Sequence, residues 1–438
     1  MTYLVSKPSS ALISEATIPG DKSISHRAIM FGAIAEGQTR IEGILEGEDV
    51  LATLNAFELM GVGVDRPCPG VVTVEGVGKY GLSEPVRPLD LGNSGTSMRL
   101  LSGLLAGQRF NTVLTGDESL KSRPMGRVIE PLSEMGADIE SQDNCAPLLI
   151  KGCSELQGIQ YVLPVASAQV KSAVMLAGLY ASGETSIVEP VASRDHTERM
   201  LRAFSQKRSE TGKVLRISGD EELVGQIVRV PSDISSAAFF IVGACLLPGS
   251  ELVLKRIGIN PTRDAVLRIL AQMGAKISRS DIQDFTNEPV CDLVVHSSEL
   301  YGIDISIQDV AGAIDEFPII AVAAAAATGI TRIRGAAELR VKESDRITAM
   351  VNGLCALGIE ASETPDGMDI TGGQIKGGQV DSYGDHRIAM AFAVAGGIAS
   401  AEIKICDADN IATSFPDFVE IANQIGLNIS ESDSTEDV

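Results

Sequence analysis

The chain has 438 residues, 44% of them apolar and 21% charged, and a formal net charge of −22. That length predicts two or three domains with large cores. So acidic a surface argues against non-specific nucleic-acid binding and docking on anionic membranes, though a local cleft can still be basic. The N-terminus MTYLVSKPSS has neither the charged region and apolar run of a secretory signal nor the arginines of a transit peptide. The apolar runs near 317–330 and 388–399 fall short of the roughly 20 residues a membrane-spanning helix needs. Seven cysteines without a CxxC pair, and four histidines at 26, 196, 296 and 386, predict reduced thiols and no metal site. A cytoplasmic chain is expected.

One pattern recurs along the sequence: a short polar start, an Ala/Gly-rich apolar stretch, a small turn and a β-type run. The copies are KSISHRAIMFGAIAEGQTRIEG (22–43), GTSMRLLSGLLAGQRFNTVLTG (95–116) and SAQVKSAVMLAGLYASGETSIVE (167–189). Then follow DISSAAFFIVGACLLPGSELVL (233–254), DEFPIIAVAAAAATGITRIRG (315–335) and DHRIAMAFAVAGGIASAEIKI (385–405). Between them lie amphipathic helices closed by Gly at 48–64, 125–139, 262–277, 344–361 and 415–429. That Gly is the residue a helix needs to stop. HTERMLRAF (196–204) has no such Gly. Each unit therefore reads strand, buried helix, strand, amphipathic helix, strand, strand. A helix apolar all round, such as AVAAAAA at 321–327, must lie inside. The expected fold is α/β: an inside-out α/β barrel of six βαβαββ units, three per domain. The expected domains are 1–20 with 232–438, and 21–231, with a cleft between them. The acidic tail SESDSTEDV (430–438) is expected to be disordered.

The polar starts (Ser23, Gly95–Thr96, Ser167, Ser235, Asp315 and Asp385) are helix-capping residues. Helix N-termini offer unpaired N–H groups and a positive dipole end to anions. Plain capping is the alternative for any one of them; repetition carries the reading. Cations cluster in the same loops: Lys22 and Arg27, Lys121, Arg123 and Arg127, Arg194, Lys342 and Arg346, and Arg387. Arg reads phosphate and carboxylate in bidentate fashion, and carboxylates among such cations (Asp315, Glu316, Glu343, Asp345, Asp385) can serve as general acid or base. No GxxxxGK[ST] loop, dinucleotide fingerprint or GxSxG elbow occurs.

GDKSISHRA (20–28), LGNSGTSMRL (91–100), SRPMGR (122–127), SAQVKSA (167–173), ELRVKESDR (338–346), GDHRIAM (384–390) and ATSFPDF (412–418) together resemble the 5-enolpyruvylshikimate-3-phosphate synthase family, in order and over nearly the whole chain. The resemblance implies transfer of the enolpyruvyl group of phosphoenolpyruvate to the 5-hydroxyl of shikimate 3-phosphate, with release of phosphate, through a tetrahedral intermediate and without a cofactor. It implies that Lys22, Ser23, Arg27, Ser167, Ala168, Gln169, Arg194, Asp315 and Lys342 hold shikimate 3-phosphate. Lys22, Asn93, Gly95, Arg123, Gln169, Arg346 and Arg387 would face phosphoenolpyruvate. Lys22, Asp315 and Glu343 are the catalytic candidates, Asp315 as base toward the hydroxyl and Glu343 as acid toward C3; which of the three moves which proton stays open. Ala168 stands where many members have Ser, Ser193–Arg194–Asp195–His196 where many have S-K-P-Y, and Ala412 precedes Thr413 where many have Lys. These departures resemble the second class of the family. With Gly at position 95, glyphosate is expected to compete with phosphoenolpyruvate. The resemblance leaves a sister enolpyruvyl transferase acting on a UDP-sugar as the second reading, although the reactive Cys typical of it is missing from SLKSRPMG (119–126). A silent binding protein is the third. A monomer, open without ligand, is expected.

Overall fold

The computed structural model describes residues 2–153, 155–205 and 214–433. It divides into two compact units. One comprises Met1–Pro19, Pro231–Asp284 and Glu288–Val438; the other comprises Gly20–Val230 and Phe285–Asn287.

In the 20–230 unit the chain order of helices is α1 (Lys22–Ile34), α2 (Glu48–Leu59), α3 (Gly95–Ala106), α4 (Glu118–Ser122), α5 (Gly126–Glu134), α6 (Ala168–Gly178) and α7 (His196–Phe204). The other unit carries α8 (Ile234–Leu246), α9 (Ala265–Gln272), α10 (Ile307–Val310), α11 (Phe317–Ala326), α12 (Arg346–Ala356), α13 (His386–Ile398) and α14 (Phe418–Ile425). The chain is α/β with mixed sheets. None of the helices among the described residues is long and apolar enough to cross a membrane.

The strands form six sheets, and one pairing rule runs through them. A parallel pair comes first and an antiparallel neighbour follows. Ile227–Arg229 pairs parallel with Glu36–Glu42, which pairs antiparallel with Val71–Val77. Leu89–Asp90, Thr112–Thr115 and Cys145–Ile150 repeat this, as do Gln160–Val162, Glu184–Val188 and Val214–Ser218. In the other unit Ile13–Thr17, Glu251–Gly258 and Glu288–His296 follow it. In the Ile330–Ile333 sheet, isolated parallel bridges at Tyr301–Thr328 and Asp304–Arg332 stand in for the parallel strand. Where the parallel partners are near in sequence, at 89–115, 160–188 and 301–333, they bracket a buried helix, α3, α6 or α11, because parallel strands need a crossover.

Helices α1, α3, α6, α8, α11 and α13 are the six apolar stretches of the sequence. Every side chain from Phe317 to Ala325 in α11 is buried. Within each unit these helices touch one another and their own sheets: α3 meets α6 and α1, while α8, α11 and α13 meet mutually. Small residues permit the approach. A Cβ on Gly103 of α3 would lie 2.0 Å from the Ala173 carbonyl oxygen of α6.

The amphipathic helices stop where the sequence predicts. Gly61, Gly136, Gly274, Gly358 and Gly426 all have φ between 82° and 115°, the left-handed region that an L side chain adopts at a cost. Helix α7, which has no such Gly, ends in extended backbone at Ser205. Near the last of these helices, Phe415 and Phe418 of the ATSFPDF segment are fully buried. They pack edge-on to each other, and the Phe418 ring stacks on Phe240 of α8 at 5.7 Å.

Two expectations need correction. Residues 430–433 are not disordered: they belong to the strand Asn428–Asp433, paired antiparallel with Thr2–Lys7. That first strand also pairs with Ile403–Cys406, so the two chain ends complete one sheet; residues 434–438 of the tail lie outside the described residues. The second correction concerns helix caps. Asp21, Ser94 and Asp233 accept the first-turn N–H bonds of α1, α3 and α8, rather than Ser23, Gly95–Thr96 and Ser235. Residue 316, not Asp315, holds the cap position of α11, and its side chain makes no cap bond. Ser167 and Asp385 do cap α6 and α13. Sequence offered two capping residues within a few positions, and only the helix start distinguishes them.

Candidate functional site

In the 20–230 unit the starts of α1, α3 and α6 carry interlinked polar side chains. Because Asp21 takes the cap bond from the Ile24 N–H, at 2.9 Å, Lys22 and Ser23 are left in the first turn. The Lys22 ammonium lies 3.0 Å from Asp49 Oδ2 of α2. The Ser23 hydroxyl hydrogen-bonds to no described residue. One turn on, Arg27 is buried and works as a brace. Its Nε donates to Thr197 Oγ1 of α7 (2.6 Å), Nη2 to Ser172 Oγ of α6 (2.9 Å) and Nη1 to the Ser23 carbonyl (2.9 Å). On the opposite side His26 Nδ1 sits 2.8 Å from Thr53 Oγ1 and 3.3 Å from Ser97 Oγ. Burial, reinforced by Lys22 and Arg27, holds the His26 pKa well below its ordinary value, so the ring is neutral at pH 7.

Asn93, Gly95, Arg123 and Gln169 come together. Asn93 Nδ2 donates to Asp117 at 2.7 Å, and its Oδ1 accepts from Arg123 Nη2 at 2.5 Å. Gln169 Oε1 accepts from Arg99 Nη1 at 2.8 Å, and its Nε2 donates to Thr96 Oγ1 at 3.1 Å. Sequence reading passed over Arg99, although it stands four residues after Gly95 in LGNSGTSMRL and so on the same helix face. A Cβ at Gly95 would lie 2.9 Å from Arg99 Nη1 and 3.1 Å from Arg123 Nη1, so this glycine is the bare floor between two guanidinium groups. Ser167 caps α6 with Ala168 next to it. Arg194 is half-buried in the loop leading to α7. That loop is tethered through Ser193, which donates to Glu189 Oε1 at 2.5 Å; Glu189 Oε2 in turn lies 2.9 Å from the buried Lys171 ammonium. Lys171 also meets Glu198 at 2.6 Å. Burial, opposed by Lys171, raises the Glu198 pKa.

In the other unit all five expected residues share one network. Asp315 Oδ1 is 3.5 Å from Lys342 Nζ and 3.5 Å from Arg346 Nη1. Arg346 Nη2 donates to Glu343 Oε2 at 2.5 Å, and Nε donates to Asp385 Oδ2 at 2.8 Å. Arg387 Nη1 donates to the Asp315 carbonyl at 3.0 Å. Arg346 is 1% exposed. Burial opposes its charge, but Asp385, Glu343 and Asp315 outweigh burial and raise its pKa above the ordinary value. Its Nη1 is buried and makes no hydrogen bond to the described residues, which leaves a fixed donor 3.5 Å from Asp315.

Each unit thus gathers three helix N-termini and several cations, a setting that favours anions through backbone N–H groups, helix dipoles and guanidinium forks together. In the second, Asp315 and Glu343 lie among Lys342, Arg346 and Arg387, a placement suited to proton transfer.

Residues 6–421 match the family model described as EPSP synthase (3-phosphoshikimate 1-carboxyvinyltransferase). The 3-phosphoshikimate 1-carboxyvinyltransferase of Legionella pneumophila (strain Corby) is 54% identical over 431 residues, 98% of this chain and 100% of that protein. That of Acidithiobacillus ferrooxidans (strain ATCC 53993 / BNL-5-31) is 54% identical over 427 residues, 98% of each. A solved structure of EPSP synthase from Acinetobacter baumannii superposes with a TM-score of 0.89 at 50% identity, covering 99% of this chain and 100% of that one.

Proposed function

The chain belongs to the EPSP synthase family, and on that premise we propose that it transfers the enolpyruvyl group of phosphoenolpyruvate to the 5-hydroxyl of shikimate 3-phosphate, releasing phosphate, in aromatic amino acid biosynthesis. The observation that carries the reading is the Asp315–Lys342–Glu343–Arg346–Arg387 network, in which two carboxylates adjoin three cations.

Arg346, Arg387, Arg123 and Lys22 neutralise the carboxylate and phosphate of phosphoenolpyruvate, with Asn93, Gly95 and Gln169 framing it. Ser23, Arg27, Ser167, Ala168, Gln169, Arg194 and Lys342 hold shikimate 3-phosphate. Asp315 takes the proton of the 5-hydroxyl as its oxygen adds to C2; Glu343 delivers a proton to C3, giving a tetrahedral adduct. Loss of the C3 proton and of inorganic phosphate then restores the double bond in the enolpyruvyl ether. Arg27 serves through its brace, since Thr197, Ser172 and the Ser23 carbonyl occupy its nitrogens. The repeated parallel–antiparallel sheets and mutually packed buried helices support an inside-out barrel of six units, three in each domain. The enzyme works as a cytoplasmic monomer, and glyphosate competes with phosphoenolpyruvate.

Phosphate release is the test. It is expected with phosphoenolpyruvate and shikimate 3-phosphate, and absent with UDP-N-acetylglucosamine in place of the latter. Asp315→Ala should lower kcat by about 10²–10⁴-fold. Turnover of the UDP-sugar, or none of either acceptor, rejects the reading.

A further inference from the structure

Behind Arg387 lies a buried polar chain that neither the family motifs nor the mechanism uses. Glu316 is 1% exposed. It occupies the cap position of α11, where the shorter Ser, Thr, Asp or Asn side chain ordinarily accepts from the first-turn N–H groups; Glu316 makes no such bond. Its carboxylate turns inward instead. Oε1 accepts a hydrogen bond from Ser235 Oγ in the first turn of α8 and lies 3.8 Å from Arg387 Nη1 in the first turn of α13. Ser235 Oγ accepts in turn from Arg263 Nη2 at 2.5 Å, and the same nitrogen lies 3.3 Å from Asp233, the cap of α8. The starts of α8, α11 and α13 are thereby joined through one side chain.

A buried carboxylate is costly unless paired. Among the described residues Oε2 has no hydrogen-bond partner, and the Arg387 guanidinium and the Ser235–Arg263 pair compensate the carboxylate. For Arg387 the consequence is directional. Nη1 is held from behind by the Asp315 carbonyl at 3.0 Å and by the Glu316 carboxylate at 3.8 Å. Its Nε and Nη2 hydrogen-bond to no described residue. A guanidinium is a planar fork, and fixing one prong aims the rest.

We propose that Glu316 is a positioning residue: through Arg387, and itself held by Ser235 and Arg263, it orients the guanidinium edge that receives the anionic group of phosphoenolpyruvate. The inference rests on the enolpyruvyl-transfer reading. That reading assigns Arg387 to phosphoenolpyruvate and not to shikimate 3-phosphate, so the two substrates are expected to report on Glu316 differently.

Glu316→Gln keeps an oxygen for Ser235 and nearly the same volume but removes the charge facing Arg387. It is expected to raise the KM for phosphoenolpyruvate about tenfold, with the KM for shikimate 3-phosphate within about twofold of wild type. Glu316→Asp should recover part of the loss. Ser235→Ala, which leaves Arg387 and Glu316 in place, should move the same KM in the same direction by less, and the double variant should lose less than the product of the two single losses, because both act on one chain. An unchanged phosphoenolpyruvate KM in Glu316→Gln overturns the proposal, and so does an equal rise for both substrates accompanied by a lowered melting temperature. If Glu316→Gln does not fold, Ser235→Ala carries the test alone under the same criteria. Wild-type enzyme turning over both substrates keeps the underlying reading intact whichever way the variants fall.

Discussion

At Gly95 one methyl group is expected to separate two ligands. A side chain there would press on Arg99 Nη1 at 2.9 Å and Arg123 Nη1 at 3.1 Å. Both contacts are the far ends of flexible side chains, so the helix survives and the space above the glycine shrinks. Glyphosate is longer than phosphoenolpyruvate and needs that space more. Gly95→Ala should therefore raise the glyphosate inhibition constant by about tenfold or more while raising the phosphoenolpyruvate KM less; equal inhibition constants for the two forms would reject this. Residue-scale roles were only partly legible. Arg27 reads as a ligand-facing cation in sequence, and its partners Ser172 and Thr197 lie more than a hundred residues away. Glu316 reads in sequence as one more carboxylate beside Asp315 able to move a proton, and only the fold turns it inward toward Ser235 and Arg387.

At the scale of elements, the contrast between two helical glycines is diagnostic. Gly103 lets α3 lie against α6, since its Cβ would fall 2.0 Å from the Ala173 carbonyl oxygen. That obstacle is backbone and cannot swing away. Gly243 in α8 would bring its Cβ no nearer than 3.4 Å to Val394, an ordinary contact. Gly103→Ala should destabilise by about 1–3 kcal/mol through overpacking, whereas Gly243→Ala should be neutral or stabilise by about 0.4–1 kcal/mol through a less flexible unfolded chain. Urea unfolding of both variants checks this, and equal midpoints would show that the α3–α6 approach is not tight. Helix ends were legible because Gly at a stop has one backbone reason to be there. Helix starts were not, because Asp21 and Ser23, or Asp233 and Ser235, are both good caps two residues apart.

For the whole molecule, the proposed reaction draws on residues of both units: Lys22, Asn93, Arg123, Gln169 and Arg194 in one, Asp315, Lys342, Glu343, Arg346 and Arg387 in the other. On that proposal, substrates that engage both sets are expected to restrict the relative motion of the units. Adding shikimate 3-phosphate should lower the radius of gyration seen by X-ray scattering, and superposable curves with and without ligand would count against a shared site. By itself the sequence determined the period of the structure: which stretches are buried helices, which are amphipathic, where each stops, and that cations collect at the recurring starts. Those properties are local, set by side-chain periodicity and by glycine's access to positive φ. Tertiary structure alone decided which polar groups meet. The first and last strands share a sheet, Arg346 sits between Asp385 and Asp315, and Glu316 joins three helix starts. Contacts between residues tens to hundreds of positions apart depend on how helices stack behind their sheets, and no local pattern encodes that.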